Sequence, residues 1–232
     1  MSESIWTRPG QDLTTLAALG LLCERPRHVY DIQRELRDRH KDFAQGSARA
    51  IYRAVERLVR GGLVELLETF RDGHRPERSV YHATDQGREE YRNWLIDLLS
   101  DPVGGPRSFS AALSLIGSLS QRESVVALAR RVVHLQGRIA AIEAARSSLI
   151  EQFGMPRLFI LERDYEACLW RAELDWVLRL VAELRSGELA GDPAWLEGHA
   201  QLQVPEPGEA PLALRRPKGA DRKLRLEQGG KS

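Results

Sequence analysis

From Leu13 to Cys23 the chain is apolar nearly all round. Leu13, Leu16, Ala17, Leu19, Gly20 and Leu22 dominate, and Asp12 stands in front as an N-cap. A helix of that kind belongs at the centre of a core. Pro26 ends it. His28 to His40 follows with Val29, Ile32 and Leu36 at helical spacing, and a polar stretch, Lys41 to Gly46, leads to a third helix over Ser47 to Arg60. Ser47 is its N-cap, Ile51, Val55, Leu58 and Val59 form its apolar stripe, and Gly61-Gly62 stops it.

The period then drops to two. Val64, Leu66, Glu68 and Phe70 alternate with Glu65, Leu67 and Thr69. Asp72-Gly73 signals a turn, Pro76 lies just beyond, and Ser79 to Ala83 reads as a second short strand. The pattern predicts a β-hairpin with Arg71-Asp72-Gly73-His74-Arg75 at its tip. Thr84 caps a fourth helix whose apolar positions are Tyr91, Trp94, Leu95, Leu98 and Leu99.

Pro102 to Pro106, with two glycines between, is the best domain boundary. Everything beyond reads as helical. Ala111 to Leu119 is short. Ser120 with Glu123 forms a capping box that opens a long helix, in which Val125, Leu128, Val132, Leu135, Ile139, Ile142, Leu149 and Phe153 keep three–four spacing. That pattern demands a partner helix without saying which chain supplies it. Gly154-Met155-Pro156 ends it, and Leu158 to Ser186 carries Tyr165, Leu169, Trp176, Leu180 and Leu184 on a second long helix. A short loop between two long helices predicts an antiparallel hairpin.

The fold class is therefore mainly α. A winged helix (three helices, a β-hairpin wing and a linking helix) spans residues 12–101, and an antiparallel helical dimerisation domain spans 107–190. Residues 1–11 read as an N-terminal extension, and 204–232 as a disordered, mildly basic tail.

Charge changes the picture only locally. The formal net charge is +1, so the chain as a whole is no magnet for nucleic acid. Two cysteines, Cys23 and Cys168, make no disulfide framework, and neither they nor the six histidines show metal-ligand spacing. Met1 to Gln11 has no apolar core of a signal peptide, and no apolar run approaches the ~20 residues that cross a bilayer. A cytoplasmic protein without membrane association, metal or cofactor is expected. Pairs such as Asp164 and Glu166, or Glu89 and Glu90, are ordinary helix-surface charges. With no Gly-rich phosphate loop, nucleophile elbow or triad pattern, an enzyme fits worst.

The third helix has what a major-groove helix requires: an apolar face to anchor it and a cationic face carrying Arg49, Arg53, Arg57 and Arg60. The hairpin adds a second basic point, Arg71, His74, Arg75 and Arg78. A basic row on one helix is by itself an ordinary solvated face. The hairpin that follows it, and the signature linking the two, raise it above that.

The run Ile51-Tyr52-Arg53-Ala54-Val55-Glu56-Arg57-Leu58 to Gly62-Leu63-Val64 resembles the recognition-helix signature of PadR-type regulators. Gly73-His74-Arg75-Pro76-Glu77-Arg78 to Tyr81, Thr84 and Gly87 is similar to that family's wing and following helix cap, and Tyr30-Asp31-Ile32 to the start of its second helix. Residues 107–187 look like the helical C-terminal domain of the virulence-activator-like members. The resemblance implies a homodimer, joined through the C-terminal helices, that acts on a palindromic operator in double-stranded DNA. Repression is favoured over activation. It also implies, for some relatives, an aromatic or lipophilic effector near the dimer interface.

The residues expected to meet DNA are Tyr30, Ser47, Arg49, Tyr52, Arg53, Arg57, His74, Arg75 and Arg78. Trp94 and Trp176 are candidates for an effector pocket, although packing is the default role of large aromatics. Two other readings stand beside the regulator: a small-molecule sensor with a pocket at the dimer interface, and a protein-interaction adaptor built on the helical hairpin.

Overall fold

Residues 12–44, 46–70 and 78–190 are described by the computed structural model, and three of the four main helices of the N-terminal half start at a side chain that caps them. In α1 (Leu13–Glu24) the Asp12 carboxylate accepts from the Thr15 amide at 3.1 Å and from its hydroxyl at 2.6 Å. The helix is buried from Leu13 to Cys23 except at Thr14, so it is the central element the sequence predicts. Burial pushes the Cys23 thiol up to about 12, with Arg88 working weakly against it, which leaves an inert hydrophobe. Gly20 lets a neighbour come close. A methyl group there would sit 2.7 Å from the hydroxyl of Tyr91, whose ring lies across α1.

After Pro26 comes an element the periodicity does not reveal. Strand β1 (Arg27–His28) is only two residues long, too short to show a period. Helix α2 (Val29–Asp38) buries Val29, Ile32 and Leu36 as expected. Helix α3 (Ala48–Arg60) begins at Ser47, whose hydroxyl accepts from the Ala50 amide. Ile51, Ala54, Val55 and Leu58 face inward. Val59, expected in the stripe, is 39% exposed, and Ala54 takes the inward position.

Strands β2 (Val64–Phe70) and β3 (Arg78–Ala83) form the predicted hairpin, in register from Val64↔Ala83 to Phe70↔Arg78 with an irregularity at Leu67. On its other edge β3 takes β1, pairing Arg27↔Tyr81 and His28↔Val80. The sheet order is β1-β3-β2, so the wing is tied back to the root of α2.

Helix α4 (Asp85–Ser100) starts at Thr84. The Thr84 hydroxyl accepts from the Gly87 amide at 3.0 Å and donates to the Gly62 carbonyl at 2.8 Å. Tyr91, Trp94, Leu95 and Leu99 are buried. A tight turn over Pro102–Gly104 leads into α5 (Gly105–Ser114), which starts earlier than the expected Ala111. The apolar core does not stop at this turn. Phe109, Ala112, Leu128, Leu135 and Val177 belong to the same cluster as Leu16 and Leu95.

The two long helices, α6 (Gln121–Glu151) and α7 (Leu161–Ser186), form an antiparallel hairpin. Gln121 reaches the Leu184 carbonyl, and Arg171 meets Glu143. The capping box is present in full, with Ser120 and Glu123 bonded both ways. Burial works to raise the Glu123 carboxyl, but hydrogen bonds from Ser120 and Arg92 outweigh it and hold the group below its usual range. In α6 the three–four stripe buries Leu128 and Leu135 in the chain's own core, and Ile139 after them, so over this part the partner is intramolecular, whereas Phe153 at the end of the stripe is exposed. In α7 the expected stripe holds only in part. Leu180 and Leu184 pack against the core, with Ala167, Val177 and Val181 buried beside them, whereas Tyr165 (65% exposed), Leu169 and Trp176 point outward.

Candidate nucleic-acid interface

The third helix presents two different faces because its arginines have different neighbours. Arg49 and Arg53 are exposed, one turn apart, with Tyr52 between them at 51% exposure. Among the described residues neither arginine has a carboxylate partner. Ser47 is exposed at the N-terminus of α3, where unpaired backbone amides and the helix dipole favour an anion. Tyr30, in the first turn of α2, is 68% exposed.

Arg57 behaves otherwise. Sequence spacing puts it in the basic row, but its guanidinium turns to the N-terminus of α1, pairing with Asp12 and donating to the Thr15 hydroxyl at 2.7 Å. The same Asp12 oxygens cap α1, so one carboxylate holds both helices. Arg57→Ala is expected to lower stability by about 1 kcal/mol, the pair being a third exposed. It should leave the salt dependence of DNA binding unchanged. Urea unfolding and a salt titration together check this.

A cluster of charges that periodicity could not show fixes how α2 sits on α1. Arg27, 5% exposed, donates to the Leu21 carbonyl and pairs with Glu24 and Glu35, both of which also hold Arg39. Burial lowers the Arg27 pKa, with the two carboxylates opposing it. For Glu35, burial works upward, but Arg27 and Arg39 outweigh it and hold its carboxyl below the usual value. The only signal in the sequence was the density of charge over residues 24–39.

Beneath the exposed face lies a cleft of about 330 Å³ between α2 and α3, lined by Gln33, Leu36, Arg37, Ser47 and Ile51. Trp94 and Trp176 do not line it. Trp94 is 2% exposed within the core, and Trp176 lies on the outside of α7 in a T-shaped pair with Phe109. Arg78 opens β3 opposite Phe70. His74 and Arg75, with the 1–11 extension and the 204–232 tail, lie outside the described residues. No helix among the described residues is long and apolar enough to cross a membrane.

Three helices, a hairpin returning to a short strand and a helix capped on the turn between α3 and β2 define a winged helix. Residues 18–93 match the model of the transcriptional regulator PadR-like family, and the chain carries a domain of that family. The negative transcriptional regulator PadR of Bacillus subtilis (strain 168) is 24% identical over 134 residues, which cover 58% of this chain and 73% of that protein. Two solved structures of Bacillus subtilis PadR are also similar. The complex with operator DNA has 21% identity and a TM-score of 0.35, covering 73% of this chain and 98% of that one. The complex with p-coumaric acid has 19% identity and a TM-score of 0.33, covering 78% and 99%.

Proposed function

We propose that the chain is a homodimeric, DNA-binding transcriptional regulator that acts in the cytoplasm as a repressor and catalyses no reaction. Repression is the sign carried in the name of the Bacillus subtilis relative. Residues 12–101 are the DNA-binding unit and 107–190 the dimerisation unit. Helix α3 enters the major groove through Ser47, Arg49, Tyr52 and Arg53, Tyr30 meets the backbone nearby, and the wing, residues 71–78 with His74, Arg75 and Arg78, reaches the backbone or the minor groove.

The observation that carries this reading is the division of labour on α3. Its inner face is buried, Arg57 is spent on Asp12, and Arg49 and Arg53 are left facing solvent. The test is binding of the full chain to DNA flanking its own gene across a salt series. Salt-sensitive, saturable binding is expected, and its absence would sink the reading.

Dimerisation is supported by the outer face of α7. Leu161, Tyr165, Leu169 and Trp176 are each more than 40% exposed and recur at helical spacing. Leu169→Glu is expected to convert a dimer to a monomer in light scattering and to weaken operator binding in parallel. A dimer that persists in the variant would move the interface elsewhere.

A further inference from the structure

A helix ends with carbonyls that have no partner inside it, and their negative dipole end attracts a cation. At the end of α4 those carbonyls are taken by side chains from α6. Arg131, 1% exposed, sends Nη1 to the carbonyls of Leu98 (3.3 Å), Leu99 (3.5 Å) and Asp101 (3.0 Å). One turn on, His134 Nδ1 donates to the Ser100 carbonyl at 3.0 Å.

The rest of the Arg131 fork is directed elsewhere. Its Nε and Nη2 both reach Glu173 of α7 at 2.6 Å. Its central carbon lies 3.7 Å from the centroid of Phe109 in α5, and Phe109 in turn meets Trp176 in a T-shaped pair. One buried guanidinium thus ties together α4, α5, α6 and α7. Lysine has no planar fork and could not serve all these partners at once.

The opposite end of α4 is no freer. Thr84 bonds it to the α3–β2 turn, and Arg88 donates to the Cys23 carbonyl of α1 at 2.7 Å. Helix α4 is therefore a rod held at one end by α1 and the α3–β2 turn and at the other by Arg131 and His134.

We propose that Arg131, held by Glu173 and assisted by His134, is a positioning residue that sets the angle between the winged helix and the helical hairpin, and so the half-site spacing the dimer accepts. This rests on the reading of the chain as a dimer on two half-sites. A stiff joint makes the wrong spacing costly, because protein or DNA must bend to meet it. A loosened joint spreads binding over several spacings. Trp176 lies on the exposed face of α7, so contact there bears on the joint through Phe109.

The experiment starts by selecting a palindromic duplex from a random-sequence library with the full wild-type chain. That duplex is remade with its half-sites moved by whole base pairs, up to about half a helical turn. Arg131→Met, Glu173→Gln and His134→Ala are then compared on the whole set. The ratio of best to shifted affinity is expected to fall by about 2- to 30-fold in each variant, least for His134→Ala. Circular dichroism and dimer mass should stay unchanged.

A loss shared equally by every spacing would make Arg131 a purely structural residue and overturn the proposal. Should Arg131→Met fail to fold, the other two variants decide, and an unchanged ratio in both overturns it. A wild-type chain that selects no duplex brings down the DNA-binding reading itself, and the proposal with it.

Discussion

The Gly87→Ala chain is expected to melt roughly 6–12 °C below the parent, a loss of about 3 kcal/mol or more. A methyl group at Gly87 would lie 1.9 Å from the Leu63 carbonyl oxygen and 2.8 Å from its carbon. Those atoms are backbone, held by hydrogen bonds from Leu63 to Leu58 and from Thr84 to Leu63, so they cannot swing aside. Relief requires α4 to lift from the α3–β2 turn, which also breaks the Thr84 bridge to Gly62. The control is Gly137→Ala in α6, where an added methyl meets nothing within 4 Å. That change should stabilise by about 0.5–1 kcal/mol, since alanine is the better helix former. Thermal unfolding of the two variants should move in opposite directions. A Gly87→Ala chain that melts with the parent would show that α4 does not seat as closely as described.

Removing Arg49 and Arg53 together should do the reverse: leave the fold and lose the DNA. Both side chains are exposed, and substitutions of that kind stay within about 0.5 kcal/mol in stability. Each phosphate contact contributes about 0.9 to the slope of log affinity against log salt, and a dimer carries every contact twice. Arg49→Ala with Arg53→Ala is therefore expected to flatten that slope by roughly 2–4 and to weaken operator binding by about 100-fold or more at moderate salt. Fluorescence anisotropy across a salt series reads both quantities. A weaker affinity with an unchanged slope would mean that the arginines act through the fold rather than on phosphates. Arg57→Ala supplies the contrast, since its cost falls on stability.

Local signals proved the most legible part of the sequence. Asp12, Ser47, Thr84 and the Ser120–Glu123 box each start a helix where their chemistry predicts, because capping is settled within four residues. The two strands of the hairpin were equally plain, since alternation is written in consecutive residues. What stayed hidden was decided over longer distances. Strand β1 exists because β3, more than fifty residues later, offers an edge to Arg27 and His28. Arg57 left the basic row because Asp12, 45 positions away, meets it. Helix α7 carries two apolar stripes, and the larger residues, Tyr165, Leu169 and Trp176, drew attention to the outward one. The inward stripe is built partly on Ala167, Val177 and Val181, and α6 decides which side is inside. Burial of Arg131 could not be read at all, since its partners come from α4, α5 and α7.

The two cysteines make the chain its own clock. Cys168 is exposed, and Cys23 is sealed in α1 with its thiol pushed up to about 12. An alkylating reagent in excess should reach Cys168, beside Leu169 on the outer face of α7, as soon as the proposed dimer seam opens, and Cys23 only when the central helix opens. Two kinetic phases from one unmodified protein would then report seam opening and whole-core opening side by side. Any substitution that loosens the core, Gly87→Ala foremost, should quicken only the second.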